Sequence, residues 1–431
     1  MRAPFRGEAL LRLFSSAVLD QGLLSAANFT VGLLLIRYAS NADYGYYVLA
    51  QSAVLLLTSI QIAWVSGPLA VLAPKRSQAR RAEMISTVRE GQQRLMDRLL
   101  GVGLLLPPIG FLLGLADALE AFIGTATVLA GWTLLKRELL RQILFIYGRP
   151  NTVLAVDLLF AGTLVATAVA AAFGPMRAAV VAVLGTALAG WVFNVRAQQL
   201  LNRDPGWSSE RDPSVWRELR ALGVWGTTGA SIYWLYGQGY NYVVAAHLDV
   251  TAVAAVNAAR LLLMPTWVLT MGVKSLLNPS AAKWLHEDGV ATLMRRITLF
   301  VVGLAVLDSI YLLLVWLLRD WLTVEFLRTS IPDRDLLLLL WGAVTLLNMV
   351  RDMYQAPLLA MERYKPLAAV TATSTVVALL AMFILIPPLG APGAVAGMVV
   401  GETTGLLGGF LLLFGPLRDL KRKSQSPEPK P

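Results

Sequence analysis

The chain has 431 residues, of which 56% are hydrophobic and 15% are charged, and its mean hydropathy is +0.62. Soluble domains are roughly a quarter charged, so this composition excludes an ordinary soluble protein and indicates many membrane-spanning helices. The short alternating segments of a spanning barrel are absent. The chain also has no Cys, which excludes disulfides, thiol catalysis and Cys-based metal sites.

Twelve apolar stretches are long enough to cross a bilayer as helices. We predict helices over residues 12–37, 44–73, 96–115, 121–147, 152–173, 178–200, 222–246, 252–278, 297–318, 336–361, 367–386 and 393–414. A polar linker, residues 201–221, lies at the middle of the chain, and we expect its last part, residues 216–220, to form an interfacial helix. The predicted fold class is therefore an all-α polytopic membrane protein.

The distribution of Lys and Arg predicts how these helices are oriented. If the N-terminus is cytoplasmic, the inner segments hold 26 of the 37 Lys and Arg residues and the outer loops hold four. The positive-inside rule then predicts that both termini are cytoplasmic. The same bias explains the net charge of +10 and the pI near 9.9, so we expect no nucleic-acid partner.

The two halves of the chain resemble each other at an offset that grows slowly from 208 to 216 residues. Three alignments carry the repeat: residues 36–51 with 244–259, Arg137-Glu138 with Arg351-Asp352, and residues 174–185 with 390–401. Six helices in each half give both repeats the same topology, related by a pseudo-two-fold axis along the membrane normal. We therefore predict two six-helix bundles, residues 1–210 and 211–431, which is the architecture of an alternating-access transporter.

Charged residues lie deep inside two of the predicted helices. Residues 136–142 contain three cations and one acid in the middle of the fourth helix, and residues 351–352 lie in the middle of the tenth. Each such charge costs about 2.5–3.5 kcal/mol on insertion scales. A chain keeps such charges where they face a partner or an aqueous cavity, so both clusters predict a functional interior.

Three segments carry a resemblance to a known family. They are the end of the first helix with its exit (residues 32–47), the charged fourth helix closed by Tyr-Gly-Arg-Pro (147–150), and the small-residue stretch 390–402. Together they resemble bacterial polysaccharide exporters and lipid-linked oligosaccharide flippases (Wzx-like) of the multidrug/oligosaccharidyl-lipid/polysaccharide exporter superfamily. The resemblance runs from about residue 10 to residue 414 and implies a MATE-like fold with a V-shaped cavity between its two bundles.

The resemblance also implies a function. It implies that an undecaprenyl-pyrophosphate-linked oligosaccharide, or a polysaccharide precursor, is moved from the cytoplasmic to the outer leaflet by alternating access coupled to an ion gradient. The implied location is the bacterial cytoplasmic (inner) membrane, with membrane lipids, a polymerase and glycosyltransferases of a glycan pathway as neighbours. No cofactor is implied beyond H+ or Na+ as the coupling ion, and we expect a monomer because the cleft would lie within one chain.

Cations inside the helices are the candidate substrate ligands. A pyrophosphate head group is anionic, and the planar guanidinium of Arg binds phosphate oxygens in pairs. The predicted substrate site holds four arginines, namely Arg137, Arg141, Arg260 and Arg351. The alternative is structural pairing within the membrane, of Arg141 with Glu138 and of Arg351 with Asp352 or with another helix. For Arg37 and Lys274 we expect the side chains to reach the membrane interface instead.

Acids inside the helices are the candidate sites of the coupling ion, which would be H+ or Na+. We predict this role for Glu402, Glu138 and Asp352, and Glu402 stands out because its own segment contains no cation. The alternative is a carboxyl group that stays protonated and only hydrogen-bonds between helices. No metal site is expected, since His247 and His286 lie 39 residues apart without a carboxylate cluster.

Two other functions remain open. A multidrug or metabolite extruder would have the same fold, but its usual cationic substrates would be repelled by a cavity lined with Arg. A non-transporting membrane scaffold for a glycan-assembly complex would tolerate neutralisation of the buried charges. An enzyme is not expected, because the sequence shows neither a cluster of catalytic groups near one membrane face nor a Walker loop.

Overall fold

The computed structural model describes residues 7–202, 208 and 210–425, without the side chains of 7–18, 275, 276, 279 and 414–425. The predicted linker therefore lies partly outside the described residues. The described helices, in chain order, are α1 (Gly7–Tyr38), α2 (Asn41–Lys75), α3 (Gln78–Leu112), α4 (Ala118–Ile146), α5 (Pro150–Phe173), α6 (Ala178–Asn202), α7 (Val215–His247), α8a (Val250–Leu262), α8b (Met264–Glu287), α9 (Gly289–Leu317), α10 (Arg334–Ala360), α11 (Tyr364–Leu389) and α12 (Ala391–Gln425). Each predicted helix coincides with one of these helices, or with the α8a–α8b pair.

The chain is a multi-pass membrane protein. Ten of the described helices are long and apolar enough to cross a membrane, and α8a with α8b raises the number to eleven if the pair forms one span. The remaining helix, α7, carries Gln238 and Asn241 among its aromatic and small residues, which lowers its hydropathy. The separate interfacial helix predicted at residues 216–220 was wrong, because these residues belong to α7, which already begins at Val215.

The eighth predicted helix is not continuous, which corrects the prediction for residues 252–278. Its two segments meet at an angle of 56° between Leu262 and Met264. The break has a local cause, since Pro265 lacks the N–H that would continue the backbone ladder. The backbone oxygens at the break are satisfied by side chains instead: Thr266 Oγ donates to the Leu263 carbonyl at 2.7 Å, and the Tyr311 hydroxyl donates to the Leu262 carbonyl at 2.7 Å.

The chain forms two compact units, Met1–Trp234 and Leu235–Pro431. The division lies inside α7, whereas we had placed the domain boundary in the linker at 210/211. The first part of α7 packs within the first unit: Trp216 lies against Gly91, and Glu218 forms an ion pair of 2.7 Å with Arg76. The indole of Trp234 donates to the Ser52 carbonyl at 2.7 Å. From Leu235 onward, α7 belongs to the second unit.

The two units pack their helices in the same pairs, which is what an internal duplication predicts. In the first unit α6 packs on α4 and α5, and α4 also packs on α2 and α3. In the second unit α12 packs on α10 and α11, while α10 also packs on α8 and α9. In the first unit α1 also packs along α5.

The turn after α4 and the turn after α10 share an unusual backbone conformation at the offset of 214 residues. Gly148 has φ 68° and Glu362 has φ 57°, both in the left-handed region. The following N–H groups close the helices in the same way, Arg149 on the Leu144 carbonyl at 3.0 Å and Arg363 on the Leu358 carbonyl at 2.9 Å. This agreement supports the repeat independently of the sequence alignment, because Gly and Glu have opposite preferences for this conformation.

The start of α2 and the start of α8a are also matched across the repeat. Ser40 caps α2 through its hydroxyl, which accepts from the Asp43 N–H at 3.1 Å. Asp249 caps α8a and accepts from the Ala252 N–H at 2.7 Å. The hydrogen bonds from the Thr251 hydroxyl and this N–H hold the pKa of Asp249 below its ordinary value, so the cap is ionised at neutral pH.

Small residues bring α12 close to α11. Four glycines at four-residue spacing face α11 residues in turn: Gly393 at Leu385, Gly397 at Met382, Gly401 at Ala378 and Gly405 at Ser374. Within a membrane such small faces let helices approach closely and gain van der Waals contact. This tight contact holds the buried Glu402 of α12 at a fixed position inside the second unit.

Candidate functional site

The first candidate site is a group of buried charges shared by α1, α4 and α5 in the first unit. Arg137 and Arg141 lie four residues apart and so share one face of α4. Both guanidinium groups bind Asp157 of α5, Arg137 through Nη2 and Arg141 through Nε at 2.9 Å. Arg141 also donates through Nη2 to Asp20 of α1. Two cations and two carboxylates therefore balance each other among apolar helices.

Burial makes this group costly to disturb. The side chain of Asp157 is fully buried, and those of Arg137 and Asp20 are 11% and 3% exposed. The guanidinium of Arg137 also lies 4.0 Å from the ring centroid of Phe160, an arrangement that favours a cation over an aromatic face. The predicted structural pairing of Arg141 with Glu138 was wrong, because residues from two other helices reach Arg141 instead.

Lys136 and Glu138 stand apart from this group. Lys136 binds Asp97 of α3 at 2.9 Å and lies 3.8 Å from the ring centroid of Trp132. Asp97 is 46% exposed, so this pair lies at the edge of the unit. Glu138 is half-buried and forms no ion pair within the described residues, which leaves its predicted role in ion coupling untested.

The second candidate site surrounds Arg351 in the second unit. Its guanidinium binds Glu402 of α12 at 2.9 Å, and the amide of Asn348 donates to the same carboxylate at 3.1 Å. Tyr236 of α7 lies beneath the guanidinium, with its ring centroid 5.1 Å away. Glu402 is 1% exposed and Arg351 is 11% exposed. No cation of its own segment pairs with Glu402, as predicted, but Arg351 of α10 supplies one from another helix.

Asp352 and Lys274 complete the charge balance of the second unit. Lys274 of α8b binds Asp352 at 2.7 Å, so it does not simply extend to the membrane interface as expected. Arg351 approaches Asp352 only to 3.6 Å, which makes this predicted pair the weaker contact of both residues. As in the first unit, two cations and two carboxylates from three helices lie together, here from α8b, α10 and α12.

Arg260 belongs to a separate polar network of α7 and α8a. It donates to the Tyr240 hydroxyl at 3.0 Å, and that hydroxyl donates to the Asn257 side chain at 2.8 Å. Asn257 in turn donates to Asn241 at 2.7 Å, and its neighbour Trp341 stacks with Tyr240 edge to face. Arg260 and Arg351 therefore have different partners, and the prediction that both bind substrate stays untested. Sequence reasoning missed Asn257 and Asn348, whose signal is an amide inside an apolar helix.

Arg137 and Arg351, which the repeat aligns, share a further property. The Nε atom of each is buried and donates no hydrogen bond within the described residues. A buried N–H without an acceptor costs about 1–3 kcal/mol, and more when it carries charge. Each unit thus has, at the equivalent position of α4 or α10, an Arg whose Nε–H makes no hydrogen bond within the described residues.

A narrow cleft opens beside Arg351. It is lined by Arg351, Tyr354 and Gln355 of α10, by Thr371 and Ser374 of α11, and by glycines and apolar residues of α12. Gly405 makes this arrangement possible, since a Cβ there would lie 3.1 Å from Arg351 Cδ and 3.0 Å from Ser374 Oγ. The cleft therefore presents a cation together with hydroxyl and amide groups. Within the described residues no group of three His, Asp and Glu side chains could hold a metal ion.

Comparison with known proteins identifies the fold but not a family. No protein-family model matches the sequence, and no curated protein matches it. A multidrug resistance MATE family transporter of the MOP superfamily, in an inward-facing conformation, is similar with a TM-score of 0.76 at 14% identity, covering 92% of this chain and 95% of that chain. Its outward-facing conformation gives 0.63 at 16% identity, covering 97% of both chains. Lipid II flippase MurJ, in an inward closed conformation, gives 0.74 at 10% identity, covering 95% and 89%.

These similarities confirm the predicted fold class. The chain is all-helical in the residues described, and it has the MATE-like fold of a transporter family and of a lipid flippase. At 10–16% identity the likeness concerns the fold alone. The substrate has to be argued from the buried groups of this chain.

Proposed function

We propose that this protein is a flippase that moves a lipid-linked oligosaccharide, carried on undecaprenyl pyrophosphate, from the cytoplasmic to the outer leaflet by alternating access. The observation that carries the proposal is the pair of repeat-matched guanidinium groups, Arg137 and Arg351, each buried with an unused Nε donor. A pyrophosphate supplies the anionic oxygens that such donors take up.

The charge balance of each unit explains how a diphosphate would be bound and released. Each guanidinium already has a carboxylate partner, so a phosphate oxygen would bind in competition with that carboxylate. The displaced carboxylate would then need another cation, because an unpaired buried charge is costly. In this proposal the exchange couples substrate to ion, with Glu402, Asp352 and Glu138 as candidates for taking up H+ or Na+.

The cleft beside Arg351 has a volume of about 10 Å³, room for one water molecule, so it would have to widen during transport to take the sugar part of such a substrate. Its Tyr354, Gln355, Thr371 and Ser374 side chains offer hydroxyl and amide groups that can exchange hydrogen bonds with sugar hydroxyls. The lipid II flippase MurJ is a closer precedent for this chemistry than a multidrug resistance transporter. Cationic drugs gain nothing from arginine donors.

The proposal extends to the setting in which the protein works. The family resemblance implies the bacterial inner membrane, and the distribution of Lys and Arg predicts that both termini are cytoplasmic. The protein would act as a monomer on a substrate made by glycosyltransferases and consumed by a polymerase of a glycan pathway.

The test is a flipping assay in proteoliposomes that contain a fluorescent undecaprenyl-pyrophosphate oligosaccharide. The fraction that reaches the opposite leaflet is measured with a membrane-impermeant quencher. We expect transfer by the wild type above protein-free vesicles, and a loss of tenfold or more in Arg351→Gln. The matched control is Arg177→Gln, whose pair with Asp43 is 52% exposed on the Arg side, and it should flip normally.

A double variant separates substrate contact from structural pairing. Arg351→Gln with Glu402→Gln removes both charges, so no uncompensated charge stays buried and folding should recover. If Arg351 binds substrate, the double variant still fails to flip. Recovery of wild-type transfer in the double variant would show that the pair is only structural, and absence of transfer by the wild type would refute the function itself.

A further inference from the structure

Asp308 of α9 is a buried acid that the proposed site does not use. Its side chain is 1% exposed, and neither carboxylate oxygen has a hydrogen-bond partner within the described residues. The other buried acids in the described part of the chain all contact an Arg or a Lys; they are Asp20, Asp43, Asp157, Asp352 and Glu402. Asp308 thus lacks the counter-charge that makes such burial tolerable.

Asp308 lies well inside the membrane-spanning part of α9. Nine residues separate it from the helix end at Leu317, which corresponds to roughly 14 Å along the axis. One turn earlier, Leu304 packs in the apolar core that also contains Met349 of α10. One turn later, Leu312 lies 3.6 Å from the position of a Cβ on Gly342. Asp308 is therefore level with Thr345 of α10, between these two layers.

The same face of α9 reaches the break between α8a and α8b. Tyr311, three residues after Asp308, donates its hydroxyl to the Leu262 carbonyl at the break. One turn before Tyr311 on α9 lies Asp308, and one turn after Leu262 on the α8 side lies Thr266. Because the two helices run in opposite directions, these two positions are at the same level. Thr266 is buried, and its hydroxyl donates to the Leu263 carbonyl at 2.7 Å. Backbone oxygens at such helix breaks are where transporters hold cations.

The two hydroxyl groups that the helix register places level with Asp308 can accept further hydrogen bonds. Thr266 and Thr345 each use their proton on a backbone carbonyl, at 2.7 Å and 2.9 Å respectively. Their oxygens therefore keep lone pairs for another partner. A carboxylate, two hydroxyl oxygens and the carbonyls of a helix break form a set of hard oxygen ligands.

The elements that contact α9 carry other charged or titratable groups. Those with described side chains are Arg260 on α8a, Lys274, Lys283, His286 and Glu287 on α8b, Arg295, Arg296 and Tyr311 on α9, Arg334, Asp335, Arg351, Asp352 and Tyr354 on α10, and Glu402 on α12. None of the cations among them forms an ion pair with Asp308. Lys274 binds Asp352, and Arg351 binds Glu402.

We propose that Asp308, with Thr266, Thr345 and the oxygens of the α8 break, binds the monovalent cation, H+ or Na+, whose gradient drives transport. A single carboxylate balances one positive charge, whereas a divalent ion would leave a net charge buried. The assignment builds on the proposed transport function and moves the coupling ion away from Glu402 and Asp352, which are paired in this structure.

The test measures thermal unfolding of the purified full-length protein in detergent, without substrate. Wild type and Asp308→Asn are compared between pH 5.5 and 8.5, in sodium chloride and in choline chloride. Because a cation bound only by the folded state raises the unfolding temperature, wild type should gain about 2 °C or more from Na+ or from acid, and Asp308→Asn should lose that gain. Asp320→Asn, which changes a carboxylate 71% exposed in the same unit, should respond like wild type.

The two ions are distinguished by the salt arm. A gain that needs Na+ at pH 8.5 assigns Na+, and a gain that follows pH equally in both salts assigns H+. Identical responses of wild type and Asp308→Asn to pH and to Na+ would overturn the proposal. Because no substrate is present, this result is independent of the flipping assay, so the ion site and the flippase function fail separately.

Discussion

Asp157→Asn is the variant that probes the buried charge balance of the first unit most sharply. Asp157 is fully buried and accepts hydrogen bonds from Arg137 and Arg141 at once. Its neutralisation leaves Arg137 without a carboxylate partner and Arg141 with Asp20 alone. Removing one partner of a buried ion pair costs about 3–5 kcal/mol, so we expect the free energy of unfolding to fall by about that amount.

A double-mutant cycle tells this electrostatic cost from lost packing. In Arg137→Gln with Asp157→Asn, one cation and one anion remain, Arg141 and Asp20, and the remaining pair is balanced. The double variant should therefore be less destabilised than Asp157→Asn, with a loss of about 1 kcal/mol. Unfolding in detergent is followed by the fluorescence of the 12 Trp residues.

The matched control is Asp97→Asn, which removes the partner of Lys136. Because Asp97 is 46% exposed, the loss should stay below about 1 kcal/mol. The reasoning would be refuted if Asp157→Asn lay within about 1 kcal/mol of wild type, or if the effects of the two single variants simply added in the double variant.

Three further substitutions test packing and backbone. Gly405→Val should lower stability by about 1–3 kcal/mol and reduce flipping, because its side chain would press on Arg351; thermal unfolding and the proteoliposome assay measure this. Gly148→Ala should lower the free energy of unfolding by about 1 kcal/mol, because Gly148 has a positive φ. Glu362→Gly at the matched turn should leave it unchanged or raise it slightly, and unfolding curves of both variants measure the two effects. Asn257→Leu should destabilise by about 1–3 kcal/mol, because the buried Tyr240 hydroxyl loses its acceptor; a mild effect would contradict that network.

The sequence predicted the helices because each spanning stretch is predominantly apolar over about 20 residues. It also predicted the repeat. The structure adds the matched turns at Gly148 and Glu362, whose common conformation cannot be seen in the sequence because the two residue types differ. The break in α8 was missed because the apolar run continues through it, although Pro265 gave the local signal. The extent of the units was not predictable, because the association of α7 with both units depends on contacts far along the chain.

The charged residues of the site were found from sequence, but their partners were not. A charged side chain inside an apolar helix needs a partner of opposite charge, and we predicted the residues nearest in the sequence as those partners. Arg141 instead meets Asp20, 121 residues away, and Arg351 meets Glu402 on another helix. Pairing of this kind is decided by which helices pack together, and a single sequence does not report that.

The most direct test of the central claim is made in cells of the source organism depleted of this protein. The flippase function predicts that the surface polysaccharide is lost and that its undecaprenyl-pyrophosphate-linked precursor accumulates on the cytoplasmic leaflet. Wild-type protein should restore both, while Arg351→Gln present in the membrane at normal levels should not. Intact polysaccharide together with new sensitivity to cationic drugs would contradict the claim and favour a multidrug extruder.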